Sequence, residues 1–144
     1  METSRLSLDL ELAKAAQILV RDMVKVKDGE NVLIYGDTES DWRIVEETSK
    51  AVHNVGGKVT IMRYPAPRGV GEAADPDLPK PLGAAMANCD IMIEFANKYL
   101  LYSTPWKKAM ETNRVRYLCL SGMTTAMMVR CLGQVDIPSL IRFR

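Results

Sequence analysis

The spacing of apolar and polar positions switches repeatedly between two periods along this chain. Residues 6–24 place Leu8, Leu12, Ala15, Ala16, Leu19 and Met23 on one face of a helix, with Glu11, Lys14, Arg21 and Asp22 mostly on the other. The turn Lys27-Asp28-Gly29 then leads into an apolar run, Asn31 to Tyr35, that Gly36-Asp37 ends. A run this short between turn residues reads as a strand buried on both faces. A second helix is predicted from Trp42 to Asn54, with Ser40 or Asp41 as its cap and Gly56-Gly57 closing it. Its apolar face is Ile44, Val45, Thr48, Ala51, Val52 and Val55, and Glu46 and Lys50 form an i,i+4 pair outside. Strand two is Lys58 to Met62.

The pattern then breaks. Residues 64–81 hold five prolines (Pro65, Pro67, Pro76, Pro79, Pro81) with Gly69 and Gly71, so regular structure is not expected there. A loop this long is either functional, as a lid, binding loop or partner contact, or a disordered excursion. Beyond it the alternation resumes. A short helix covers 81–88, and strand three covers Asp90 to Phe95. Ser103-Thr104-Pro105 starts a helix over 106–112, and strand four covers Val115 to Leu120. A last helix runs from Ala126 to Leu132, and Asp136-Ile137-Pro138 reads as a fresh helix start close to the end at Arg144. This order predicts a single α/β domain over residues 1–144. It is a three-layer Rossmann-like sandwich of about four parallel strands in the order 2-1-3-4, joined by right-handed crossovers, with helices on both faces. No internal repeat, low-complexity tract or second-domain boundary is visible.

Charge adds mainly exclusions. With 19 Lys+Arg against 18 Asp+Glu and no basic run, bulk charge builds no nucleic-acid face. No apolar stretch approaches the roughly 20 residues of a membrane span, and the N-terminus has no signal-peptide pattern. Cys89, Cys119 and Cys131 are odd in number and widely spaced, which suggests buried free thiols in a reducing cytoplasm. Met86, Met92, Met110, Met127 and Met128 fit core positions.

Ligands of open parallel sheets sit beyond the carboxyl ends of the strands. That rim offers Asp37 and Glu39, Arg63 and Tyr64, Asn97 and Lys98, and Ser121 with Thr124. Ser121 to Thr125 stands at a helix start, where free N–H groups either hold a carboxylate or phosphate or are capped by the hydroxyls themselves. Asp37 with Glu39 is either an acid pair or hard-cation site, or a solvated loop and cap. His53 is the only histidine and falls on the polar face of its helix. It cannot build an ordinary zinc site, a two-His iron site or a nucleophilic triad. A dinucleotide fingerprint, a P-loop and a receiver-type acidic cluster are all absent. Tyr99, Leu101, Tyr102 and Trp106 form an apolar segment beside the rim and are the candidate interface.

A leading helix runs into Val26-Lys27-Asp28-Gly29-Glu30-Asn31-Val32-Leu33-Ile34. A helix ending Gly56-Gly57-Lys58-Val59 and the segment Ala87-Asn88-Cys89-Asp90-Ile91-Met92-Ile93 follow. From about Leu12 to Gly133 this pattern resembles the N-terminal region of the aminopeptidase T family of metallo-aminopeptidases. The same superfamily includes 2,5-dihydroxypyridine 5,6-dioxygenase, a ring-opening iron enzyme. The resemblance implies a divalent metal or iron held by histidines and carboxylates of a C-terminal domain, to which nothing here corresponds. No catalytic residue is therefore carried over, and this chain alone is expected to be inactive. It is expected to be a truncated product, a small subunit beside a larger metal-bearing chain, or a stand-alone relative. The helix start so near Arg144 favours a missing continuation. On this reading the substrate is a peptide or small molecule, the partners are further copies or a metal-bearing subunit, and Asp37, Asn97, Lys98, Ser121 and Thr124 contact ligand. The alternative is a non-enzymatic small-anion-binding or assembly module on the same fold.

Overall fold

The computed structural model describes residues 5–133. Its elements are α1 (Arg5–Ile18), β1 (Asn31–Asp37), α2 (Trp42–Asn54), β2 (Lys58–Tyr64), α3 (Lys80–Ala87), β3 (Ile91–Glu94), α4 (Thr104–Glu111), β4 (Arg116–Cys119) and α5 (Thr125–Gly133). The four strands form one parallel sheet in the order β2-β1-β3-β4. Two cores, one on each side, give the three layers. Val32, Ile34, Ile91 and Ile93 pack beneath α1, α2 and α5 through Leu12, Ala16, Ile44, Val52 and Met128. The alternate residues Leu33, Tyr35 and Met92 pack beneath α3 and α4 through Leu82, Met86 and Ala109. This division follows from the twofold period of a strand, which sends neighbouring side chains to opposite faces. β1 and β3 are the inner strands and are buried on both faces, save Asn31 at the start of β1.

Several expectations are revised. The first helix passes into a π-helical turn, Leu19–Met23, before the chain reverses at Lys25 with φ +56°. Lys50 pairs with Glu47 at 3.1 Å rather than with Glu46, because the adjacent turn brings that carboxylate nearer. Of the three thiols only Cys89 is buried; Cys119 and Cys131 are exposed, one on an edge strand and one on the outer side of α5. Met127 is also exposed, facing away from the core that Met128 fills.

The proline-rich stretch is not wholly irregular. β2 extends to Tyr64, and Gly71–Asp77 forms a 3-10 helix that includes Pro76. Prolines rule out an α-helix or a central strand there, but a short 3-10 turn has few hydrogen bonds to lose. The segment is strapped to the body. Arg68 forks onto the Asp77 carboxylate at 2.9 and 3.0 Å, Asp75 accepts from Thr104 N at 2.9 Å, and Gly71 N donates to Tyr99 O at 2.8 Å. The predicted helix start at Asp136 lies outside the described residues.

Candidate functional site

The carboxyl ends of β1 and β3 point to the same rim, and their onward loops part in opposite directions, which makes this the switch point of the sheet. A cleft of about 150 Å³ opens there, lined by Glu39, Asp41, Asn97, Met123 and Thr124 over a floor that includes Phe95. Asn97 Nδ2 donates to Glu39 Oε1 at 2.8 Å and ties the two loops across the switch point. Asp41 caps α2 by accepting from Arg43 N at 3.1 Å. Its other oxygen reaches α5, accepting from Thr125 N and Thr125 Oγ1, both at 2.7 Å. The first amide of α5 therefore already holds a carboxylate. Thr124 Oγ1 accepts from Met127 N, and Ser121 Oγ donates to Ala96 O.

The residues expected at the rim thus separate. Asn97 and Thr124 line the cleft, whereas Ser121 supports its wall from behind. Asp37 is fully buried and accepts from Lys98 N at 2.9 Å and Glu39 N at 2.8 Å, so it holds both loops in place. Lys98 takes part through that backbone N–H. The open cleft presents mainly acceptors, the Glu39 carboxylate and the Asn97 side-chain carbonyl, which suit an amine or hydroxyl group of a ligand.

A second polar group lies under the same rim on the α3/α4 side. Glu94, at the end of β3, is fully buried. Its carboxyl oxygens accept four hydrogen bonds. Tyr35 Oη at 2.7 Å and Tyr117 Oη at 3.0 Å donate to Oε1, while Leu100 N at 3.0 Å and the Cys119 thiol at 3.6 Å donate to Oε2. Burial pushes its pKa above the usual carboxylate range, although these donors oppose the rise. Burial first and the Glu94 charge second raise the Tyr35, Tyr64 and Tyr117 hydroxyls well beyond theirs. Tyr64 Oη is buried with no hydrogen-bond partner. The sequence carried one overlooked sign of this cluster, a carboxylate inside the otherwise apolar run Ile91-Met92-Ile93-Glu94-Phe95.

Among the described residues, no group of three or more His, Cys, Asp or Glu side chains is placed to hold a metal ion. His53 is exposed on α2, and Asp37, Asp41 and Glu94 have their oxygens committed to donors. The described residues alone do not assemble a ligand set for a metal.

No family model and no curated protein matches the chain. Solved structures do. 2,5-Dihydroxypyridine dioxygenase from Pseudomonas putida KT2440 superposes over 91% of this chain with a TM-score of 0.61 and 19% identity. AmpT from Thermus thermophilus superposes over 88% with a TM-score of 0.53 and 11% identity. At these identities the likeness is one of fold. The chain spans about two fifths of each, 38% of the dioxygenase and 42% of AmpT.

Proposed function

We propose that this chain is the N-terminal α/β domain, or a subunit, of an aminopeptidase-T-like metal-dependent enzyme that hydrolyses peptides or opens the ring of a small aromatic. Its task is to form one wall of the substrate cleft, with the reactive metal held by the portion of such an enzyme that it does not span. The observation that carries this reading is the match of nearly the whole chain to under half of the dioxygenase. The position of the Glu39–Asn97–Thr124 cleft at the β1/β3 switch point, where open α/β sheets receive ligands, supports it. Glu39, Asn97 and Thr124 orient the substrate's polar groups; Asp37, Asp41 and Ser121 fix the loops that bear them. The alternative of a small-anion site at the start of α5 has less support, because Asp41 already occupies that helix terminus.

Native mass spectrometry of the protein purified from its own source tests the reading. The expected species joins this sequence to a larger metal-bearing portion, whether covalently or as a separate chain. Divalent-metal-dependent hydrolysis or ring opening by these 144 residues alone would overturn it. So would a native species made solely of copies of this chain.

A further inference from the structure

We propose that Glu94 is a proton-sensitive tether for the loop after β3: as a carboxylate it holds residues 96–100 closed, and on taking a proton it lets them open more often. That loop carries Asn97 to the cleft. Two fully buried carboxyl groups grip its backbone at alternate residues. Asp37 Oδ2 accepts from Lys98 N at 2.9 Å, and Glu94 Oε2 accepts from Leu100 N at 3.0 Å. Leu100 is itself fully buried, so the second bond fastens the loop to the core.

The two oxygens of Glu94 are not equivalent. Oε1 faces the hydroxyls of Tyr35 and Tyr117, at 2.7 and 3.0 Å. A hydroxyl both donates and accepts, so either can turn to take a hydrogen bond from a proton on Oε1. Oε2 faces Leu100 N, which can only donate, and the Cys119 thiol at 3.6 Å. The added proton therefore belongs on Oε1, and Oε2 becomes the carbonyl oxygen of a neutral acid. The bond from Leu100 N then loses the charge assistance that roughly doubles the strength of such a contact. The resting geometry of the rim is the same in either state; the frequency of opening changes.

The surroundings leave this titration to the carboxyl. Tyr35 of β1, Tyr64 of β2, and Tyr117 and Cys119 of β4 face it, and burial raises all four, so they stay neutral below about pH 7. Asp37 shares Tyr64 as a neighbour. Among the described residues no cation forms an ion pair with Glu94: Lys107 pairs with Glu72 and Arg68 with Asp77, while Lys80 and Lys108 are exposed. Burial also raises Glu94, which brings its protonation toward neutral pH. Ionisation thus has two opposed effects. It places an unpaired charge in the core, which weakens the whole fold, and it strengthens the bond that holds the loop. A carboxyl that merely supported the fold would move loop and core together. The proposal is independent of the enzymatic reading, and either can fail alone.

Amide hydrogen exchange followed by NMR on the full chain, from about pH 5 to about pH 7, tests it, with the Glu94 carboxyl carbon observed in the same samples. The Leu100 protection factor should rise about threefold to tenfold through the Glu94 midpoint, while the amides of β1 and β3 lose protection. In Glu94→Gln the rise at Leu100 should vanish. Tyr117→Phe removes a donor to the charged form, so it should move the Glu94 midpoint to higher pH and carry the Leu100 profile with it. A Leu100 amide whose protection stays flat, or falls in step with β1 and β3, would overturn the proposal. So would a rise that survives in Glu94→Gln.

Discussion

Glu94 and the tyrosines around it set two opposite tendencies side by side. Tyr35 donates to the buried carboxylate at 2.7 Å, so removing its hydroxyl leaves that acceptor short of a partner. Tyr35→Phe should lower stability by about 1–3 kcal/mol in urea unfolding. Tyr64 is the reverse case, a buried hydroxyl with nothing to bond. Tyr64→Phe should be neutral, or stabilising by up to about 1 kcal/mol, in the same measurement. The pH dependence follows from the direction of the Glu94 shift. Its folded-state pKa lies above its unfolded one, so the folded chain holds the extra proton, and stability falls as pH rises through the raised value. Asp77 is shifted down by Arg68 and acts with the opposite sign, on the acid side of the ordinary carboxylate range. Unfolding free energies measured from about pH 5 to about pH 7, below the range in which the raised thiols and tyrosines titrate, should therefore decline with pH in the wild type. In Glu94→Gln that slope should disappear.

Among the elements, α2 and α5 share a cap. Asp41 serves the start of α2 with one oxygen and the start of α5, across 84 positions of sequence, with the other. A single cap is worth about 1 kcal/mol, so Asp41→Ala should cost about 2 kcal/mol, more than an ordinary N-cap removal. Asp41→Asn, which keeps one acceptor, should lose less. Chemical denaturation of the two variants measures both. The first half of this arrangement was legible, since Asp41 stands one residue before a helical period. The second half was not, because no local pattern announces a partner so far along the chain. The 3-10 helix was hidden for a related reason. Its prolines signal the end of α and β structure, while the bonds that organise the segment, from Thr104 and Tyr99, come from a different part of the sequence.

For the molecule as a whole, strand number, direction and order were readable from periodicity and the crossover rule. Helix and strand periods are local properties, and the handedness of βαβ units leaves few arrangements of them. The candidate site was readable only in outline. Rim residues could be named because every parallel sheet has a carboxyl end. The division of Asp37, Asn97, Lys98, Ser121 and Thr124 into cleft lining and loop bracing depended on which donors each side chain met after folding. Glu94 escaped notice because a glutamate at a strand end ordinarily faces water, and its burial depends on tyrosines from two other strands.

The double cap at Asp41 also bears on the stiffness of the rim. It fastens the loop after β1 to the loop after β4, and Asn97 with Glu39 fastens the loop after β3 to the first of these. The mouth is thereby framed by latches rather than hinged. On the proposed reading, this wall of the cleft meets a guest with its shape already set, and any closure belongs to the wall opposite.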